Sequence, residues 1–145
     1  MFEPGPARGN SFSSDAAVHG KSEWDGRKVA VTGGASFIGS HLVESLIARG
    51  ADVSVIDDLS SGRLQNLDGV RGRYKFHQID LEYSGIEEIT SAFEGSEVLF
   101  HLAAIHGGRG YIDSHPADVC SNLAIDHHVY EAARRADVSQ VIFAS

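Results

Sequence analysis

The sequence is short of the residues that staple, span or bind by bulk charge. Cysteine occurs once, at Cys120, among 145 residues. A single thiol excludes an internal disulfide, and such usage fits a reducing compartment. No run approaches the ~18–20 apolar residues of a membrane-crossing helix. The first residues lack the basic-then-apolar order of a secretory leader. Cytoplasmic residence without a membrane partner is therefore expected. Basic residues are outnumbered, 12 Lys and Arg against 20 Asp and Glu, and the net charge is −8. That balance argues against a broad basic face for nucleic acid, though not against a small basic pocket. Among eight histidines there is no His-x-x-x-His pair. His127 and His128 are neighbours on a helix, so they point about 100° apart. No metal site is expected. His101 reads as a satisfied sheet histidine, Cys120 as a packing residue, and His106 carries no spacing that demands a role. No Gly-x-x-x-x-Gly-Lys-[Ser/Thr] occurs, which excludes a P-loop NTPase.

What is present has the balance of a globular domain, 42% hydrophobic and 22% charged. Residues 1–26 are rich in Gly, Ser, Pro and Ala without apolar periodicity. They read as a disordered tail whose one large anchor is Trp24. Residues 27–145 are regular. Strands are expected at Lys28–Thr32, Asp52–Asp57, Arg73–Ile79, Glu97–Leu102 and Gln140–Ala144, with helices at Phe37–Arg49, Ile86–Phe93 and Ala117–Ala136. Strands alternating with helices imply an α/β fold with a parallel sheet.

The first strand runs into Gly33-Gly-Ala-Ser-Phe-Ile-Gly39 and then a helix. A glycine-rich turn in that context is a dinucleotide fingerprint. Gly33 permits the tight turn, and Gly39 permits close packing of helix on sheet. The helix-start amides of Phe37 and Ile38 are free to hold a pyrophosphate, aided by the helix dipole. The middle glycine of the pattern is replaced by Ser36, whose hydroxyl can donate to a phosphate oxygen. Asp57 follows Gly39 by 18 residues at the end of the second strand. An acid there accepts from ribose hydroxyls and repels a 2′-phosphate, so NAD is preferred to NADP. Asp58 and Arg63 lie beside it. Farther on, the glycines of Gly107-Gly-Arg-Gly110 let backbone approach a ligand closely, and Arg109 suits a phosphate. The alternative to a ligand loop is a flexible loop with a solvated arginine.

Thr32-Gly-Gly-Ala-Ser-Phe-Ile-Gly39 resembles the TGxxGxxG turn of the extended short-chain dehydrogenases/reductases, the group that includes NAD-dependent sugar-nucleotide epimerases and dehydratases. Five further blocks resemble that family in order: Val55–Gly62, the adenosine-ribose turn; Gln78–Leu81, where Asp80 and Leu81 would contact adenine; His101–Ala104, where Leu102, Ala103 and Ala104 would lie under the cofactor; Asn122, the helix asparagine; and Val141–Ser145, the strand leading into the catalytic Ser/Thr, with Ser145 one residue before it. The resemblance covers about residues 28–145. The loop Ala103–Asp113 is similar to that of GDP-mannose 3,5-epimerases, and would bring Gly107, Gly108 and Arg109 to the substrate.

The resemblance implies a Rossmann-type doubly wound parallel sheet, truncated after the fifth strand, with the substrate domain absent. It implies bound NAD that transiently oxidises a nucleotide-sugar substrate, and possible homodimers, since family members are commonly dimers. The family's catalytic Tyr-x-x-x-Lys is missing: Tyr74, Tyr83, Tyr111 and Tyr130 have no lysine four residues on. The chain is expected to be the inactive cofactor-binding portion of an enzyme. The alternative is a non-catalytic dinucleotide-binding sensor or scaffold.

Overall fold

The computed structural model describes residues 22–105 and 109–144. Five strands form one parallel sheet: β1 (Lys28–Thr32), β2 (Asp52–Ile56), β3 (Tyr74–His77), β4 (Val98–His101) and β5 (Gln140–Phe143). Their order is β3-β2-β1-β4-β5. The chain therefore steps outward on one side of β1, then returns to lay β4 on the other. That reversal is a topological switch point, and in such sheets ligands bind outside the carboxyl ends of the strands beside it.

The strands carry apolar residues on both faces because helices cover both. Val29, Val31, Val53, Val55 and Val98 pack with Val43, Leu46 and Ile47 of α1 (Phe37–Ala48) and with Leu67 and Val70. The alternate residues Ala30, Ile56 and Leu99 face the other way. They meet Ile89, Ala92 and Phe93 of α2 (Ile86–Phe93) and Ile125, Val129 and Ala132 of α5 (Asn122–Arg135). The sheet is doubly wound, as expected.

Helix α1 stops where glycine permits it. Gly50 has φ +92°, its N–H donates to the Ile47 carbonyl at 3.0 Å, and the Ala51 N–H reaches the Leu46 carbonyl at 3.1 Å. This is a Schellman closure, which needs a left-handed residue at that place.

Several boundaries depart from the sequence reading. Residues 22–26, assigned above to the tail, form a docked turn. Trp24 stacks 5.9 Å from Phe100, and the Gly26 N–H donates to the Gly50 carbonyl at 2.9 Å. The aromatic anchor, the backbone hydrogen bonds Asp25 N–H to Ser22 carbonyl and Arg27 N–H to Trp24 carbonyl, and the tie from Gly26 to Gly50 supply the local order that composition did not suggest. Residues 1–21 lie outside the described part. The helix expected over Ala117–Ala136 is two: α4 (Pro116–Cys120) and α5, separated at Ser121. Arg109–Ser114, expected as loop, is a short helix, α3, and Leu64–Val70 is a 3-10 helix. The latter buries Leu67 and Val70 against α1, and so serves as the crossover from β2 to β3.

Candidate functional site

The Gly33–Gly39 turn sits at the switch point, wedged between the ends of β1, β2 and β4. Gly33 has φ +68°, and a Cβ there would stand 2.9 Å from the Ala103 nitrogen. Its N–H donates to the Ile56 carbonyl at 2.8 Å. A Cβ on Gly34 would press to 2.8 Å on Val55 Cγ1. A Cβ on Gly39 would overlap the Gly33 carbonyl oxygen and come within 2.8 Å of the Gly34 Cα. The close approach of Gly39 is therefore to the turn. It is Gly34 that meets the sheet, a correction to the role given to Gly39 above.

Ser36 caps α1. Its Oγ accepts from the Gly39 N–H at 3.1 Å, and its hydroxyl proton remains for another acceptor. The amides of Phe37 and Ile38 head the first turn, where a helix supplies no internal carbonyl. Both side chains are turned outward, 75% and 72% exposed, so the face above these amides is open. Ser36→Ala is expected to lower stability by about 1 kcal/mol through loss of the cap, read as the change in urea-unfolding midpoint.

Asp57 stands one residue beyond β2 and is 6% exposed. Oδ2 accepts from the Ala35 N–H and Oδ1 from the Leu59 N–H, each at 2.9 Å. Burial pushes this carboxyl above its ordinary range, and the two amides oppose that. Each oxygen keeps a second lone pair. Gly62 lies against the carboxylate so closely that a Cβ would sit 2.6 Å from Oδ1. The same loop grips the glycine turn at Ala35, whose carbonyl accepts from the Arg63 N–H at 3.0 Å and Asn66 Nδ2 at 2.9 Å. Asp58 is exposed, and its Oδ1 accepts from the Ser60 N–H and hydroxyl. Asp80 Oδ1 accepts from the Glu82 and Tyr83 amides, which closes the turn after β3.

At the end of β4, Leu102 and Ala103 are half-buried and Ala104 is exposed. The Leu102 and Ala103 N–H groups converge on Thr32 Oγ1 at 3.2 and 3.3 Å. Thr32 Oγ1 also lies 2.7 Å from His101 Nδ1, and His101 Nε2 lies 3.1 Å from Asp126 Oδ1. His101 is thus the hydrogen-bonded sheet histidine expected. Burial pushes it below its ordinary range, while Asp126 pulls it back up. Helix α5 braces the same region twice more. Asn122 Oδ1 accepts from the Ile105 N–H at 2.7 Å, and its Nδ2 donates to the Ile105 carbonyl at 2.9 Å. His128 Nδ1 meets the carbonyl of Leu81, a buried residue, at 2.8 Å.

Gly33, Ser36, Phe37, Ile38, Gly39, Asp57 and Leu102–Ala104 therefore share the carboxyl-end rim of the sheet. Asp58, Asp80 and Leu81 follow β2 and β3 on the same rim. Asn122 reaches it through Ile105. Arg109 begins α3, while His106, Gly107, Gly108 and Ser145 lie outside the described residues. The sequence reading missed Thr32, Gly34, Ala35, Gly62, Asn66 and Asp126. One signal was available: Thr32 and His101 are register partners at the last rung of β1 and β4. Among the described residues no helix is long and apolar enough to cross a membrane.

Three comparisons bear on this rim. Residues 29–145 match the model of the NAD dependent epimerase/dehydratase family. A UDP-glucose 4-epimerase of Mycolicibacterium smegmatis is 38% identical over 120 residues, covering 81% of this chain and 38% of the relative. An epimerase structure from Methanothermobacter thermautotrophicus superposes with TM-score 0.74 at 31% identity, covering 84% of this chain and 36% of that one. The UDP-glucose 4-epimerase of Thermus thermophilus, solved with NAD, gives 0.70 at 34% identity, over 81% and 37%. The chain thus spans little more than a third of the length of each of these three proteins.

Proposed function

The chain belongs to the NAD dependent epimerase/dehydratase family, and from that premise we propose that it holds NAD for an enzyme acting on a nucleotide sugar. The observation that carries the reading is the glycine turn. Gly33, Gly34 and Gly39 leave no room for a Cβ at the switch point, while the helix start above them stays open. A bare, amide-rich turn of that kind suits a pyrophosphate.

In this reading the Phe37 and Ile38 amides and the Ser36 hydroxyl donate to the pyrophosphate. Asp57 accepts from the adenosine ribose hydroxyls with its two remaining lone pairs, beside Asp58. Asp80 and Leu81 border the adenine. Leu102, Ala103 and Ala104 form the floor toward the nicotinamide, with Asn122 setting the floor's height through Ile105; Ser145 is assigned to the cofactor on the family resemblance alone. Gly107, Gly108 and Arg109 meet the phosphates of the nucleotide sugar. When bound, NAD supplies reversible hydride exchange with a sugar carbon. The residues present bind and orient. The sequence has no Tyr-x-x-x-Lys pair, so we assign the chain by itself no turnover. UDP-sugars are the substrate class favoured, since epimerases named for UDP-glucose are among the relatives.

The test is binding of NADH and NADPH to folded chain, followed by nicotinamide fluorescence. NADH is expected to bind more tightly. Asp57→Ala is expected to weaken NADH about tenfold or more, the value of a charge-assisted hydrogen bond or two. It also strips the Ala35 and Leu59 amides of their acceptor, so the decisive readout is the ratio of the two affinities, which should narrow. Equal affinities in the parent, unchanged in the variant, overturn the ribose assignment.

A further inference from the structure

We infer that Thr32, His101 and Asp126 form a protonation-sensitive latch that positions the carboxyl end of β4 beneath the dinucleotide, an inference that rests on the NAD-holding reading above.

Thr32 is fully buried, and its hydroxyl oxygen receives two donors, the Ala103 amide at 3.3 Å and the Leu102 amide at 3.2 Å, the latter shared with the Thr32 carbonyl oxygen at 3.2 Å. A hydroxyl has two lone pairs and one proton. With both lone pairs taken, the proton goes to the third neighbour, His101 Nδ1, at 2.7 Å. Nδ1 must then be bare, which places the ring proton on Nε2, where Asp126 Oδ1 accepts it at 3.1 Å. The network admits one tautomer of a neutral imidazole.

Protonating the ring breaks this count. A proton on Nδ1 points at Thr32 Oγ1, which then faces three donors with two lone pairs, while its own proton loses its acceptor. One of the two amides must leave the hydroxyl, the Leu102 N–H passing wholly to the Thr32 carbonyl it already shares or the Ala103 N–H swinging away. Those amides pack directly on the glycine turn: the Ala103 nitrogen and the Leu102 carbonyl carbon lie only 2.9 and 3.0 Å from the point a Cβ on Gly33 would take. A shift of the β4 end therefore reaches the glycine turn directly.

The surroundings set where this happens. Among the described residues, the ring meets Thr32 from β1, Asp126 and Tyr130 from α5, and Phe143 from β5. Asp126 is the charged one, and it is about one-third exposed. Its carboxylate favours the imidazolium, whereas burial disfavours it, and burial is the larger influence. The latch is closed at neutral pH and opens on acidification. The stability it contributes is full above the unfolded histidine value near 6.5 and is lost as pH falls from there through the lowered folded value.

The test combines amide and imidazole NMR of the folded chain with NADH affinity between pH 8 and pH 5. His101 should show its proton on Nε2, the Leu102 and Ala103 amides should titrate with it, and NADH affinity should fall with the same midpoint. Asp126→Asn keeps an acceptor but removes the charge, so that midpoint should move about 0.5–1 lower in pH. Asp57, a buried carboxyl on the rim, would contribute a midpoint that Asp126→Asn leaves in place. Thr32→Val should lower NADH affinity about tenfold and uncouple the two amides from His101, and Thr32→Ser should restore both. If Thr32→Val fails to fold, the Asp126→Asn shift still decides. Amides that ignore the His101 titration, or a midpoint unmoved by Asp126→Asn, overturn the latch. Amides that follow His101 in a chain that binds no NADH support the latch and overturn the NAD reading instead.

Discussion

Gly39→Ala is expected to abolish measurable NADH binding and to cost the fold about 3 kcal/mol. Two effects compete. Alanine is the better helix former, which favours the variant by up to ~1 kcal/mol. Against it, the new methyl would overlap the Gly33 carbonyl oxygen and crowd the Gly34 Cα, both backbone atoms. Backbone cannot rotate away as a side chain end can, and overpacking of this kind costs ~1–3 kcal/mol or more. Relief requires α1 to lift from the turn, which moves the Phe37 and Ile38 amides off the position proposed for the pyrophosphate. Gly110→Ala is the matched control. Gly110 is also helical, has no atom of the described residues within 4 Å of an added Cβ, and should be neutral or stabilising by about 0.5 kcal/mol. Urea unfolding and NADH titration of the two variants check the contrast. A Gly39→Ala protein as stable as the parent would mean that the turn is looser than its geometry.

The sequence made this turn visible but misassigned its contacts. Glycine spacing identifies which residues lack a side chain. It does not say what approaches the vacant side. That partner is set by the sheet order, and Gly33 meets Ala103 about 70 residues on because β4 returns beside β1. Asp57 is a similar case. Its place at the end of a strand was legible, as was its acidity. Its burial was not, because the two amides and the glycine that enclose it come from separate loops. Of the polar residues missed, Thr32 was visible as the first residue of the TGxxGxxG turn but not as the acceptor for the end of β4, while Asn66 and Asp126 act on backbone or on a buried ring nitrogen with nothing local to mark them. The strands themselves were read to within a residue or two, since β-branched runs bounded by glycine have few other solutions.

The helix after β4 shows the opposite limit. Apolar periodicity runs through Cys120, Ser121 and Asn122 without a proline or glycine, so one helix was expected over Ala117–Ala136. The break at Ser121 has a tertiary partner: Asn122 uses both ends of its amide on the Ile105 backbone. The loop before it resembles that of GDP-mannose 3,5-epimerases, while the Mycolicibacterium smegmatis and Thermus thermophilus relatives are named for UDP-glucose. A loop of glycines reports close approach and leaves the base of the nucleotide undetermined.

Phe93→Ala is expected to cost about 3–5 kcal/mol while leaving the NADH affinity of the folded fraction within about twofold. Phe93 is among the largest fully buried side chains, packed with Ile89, Ala92, Leu99 and Val129 between α2, α5 and the sheet. Its removal deletes a ring's worth of buried surface and leaves a cavity that close-packed neighbours fill incompletely. The loss falls on the face of the sheet formed with Ala30, Ile56 and Leu99. The Gly33–Gly39 turn instead closes over the opposite cluster, through Ala35, Val43 and Val55. Stability and affinity should therefore separate: Phe93→Ala lowers the first alone, and Gly39→Ala lowers both. Unfolding midpoints measured with and without saturating NADH make the distinction, because bound ligand adds the same increment to the parent and to Phe93→Ala if affinity is intact. A markedly smaller increment in Phe93→Ala would show that the α2 face transmits to the rim.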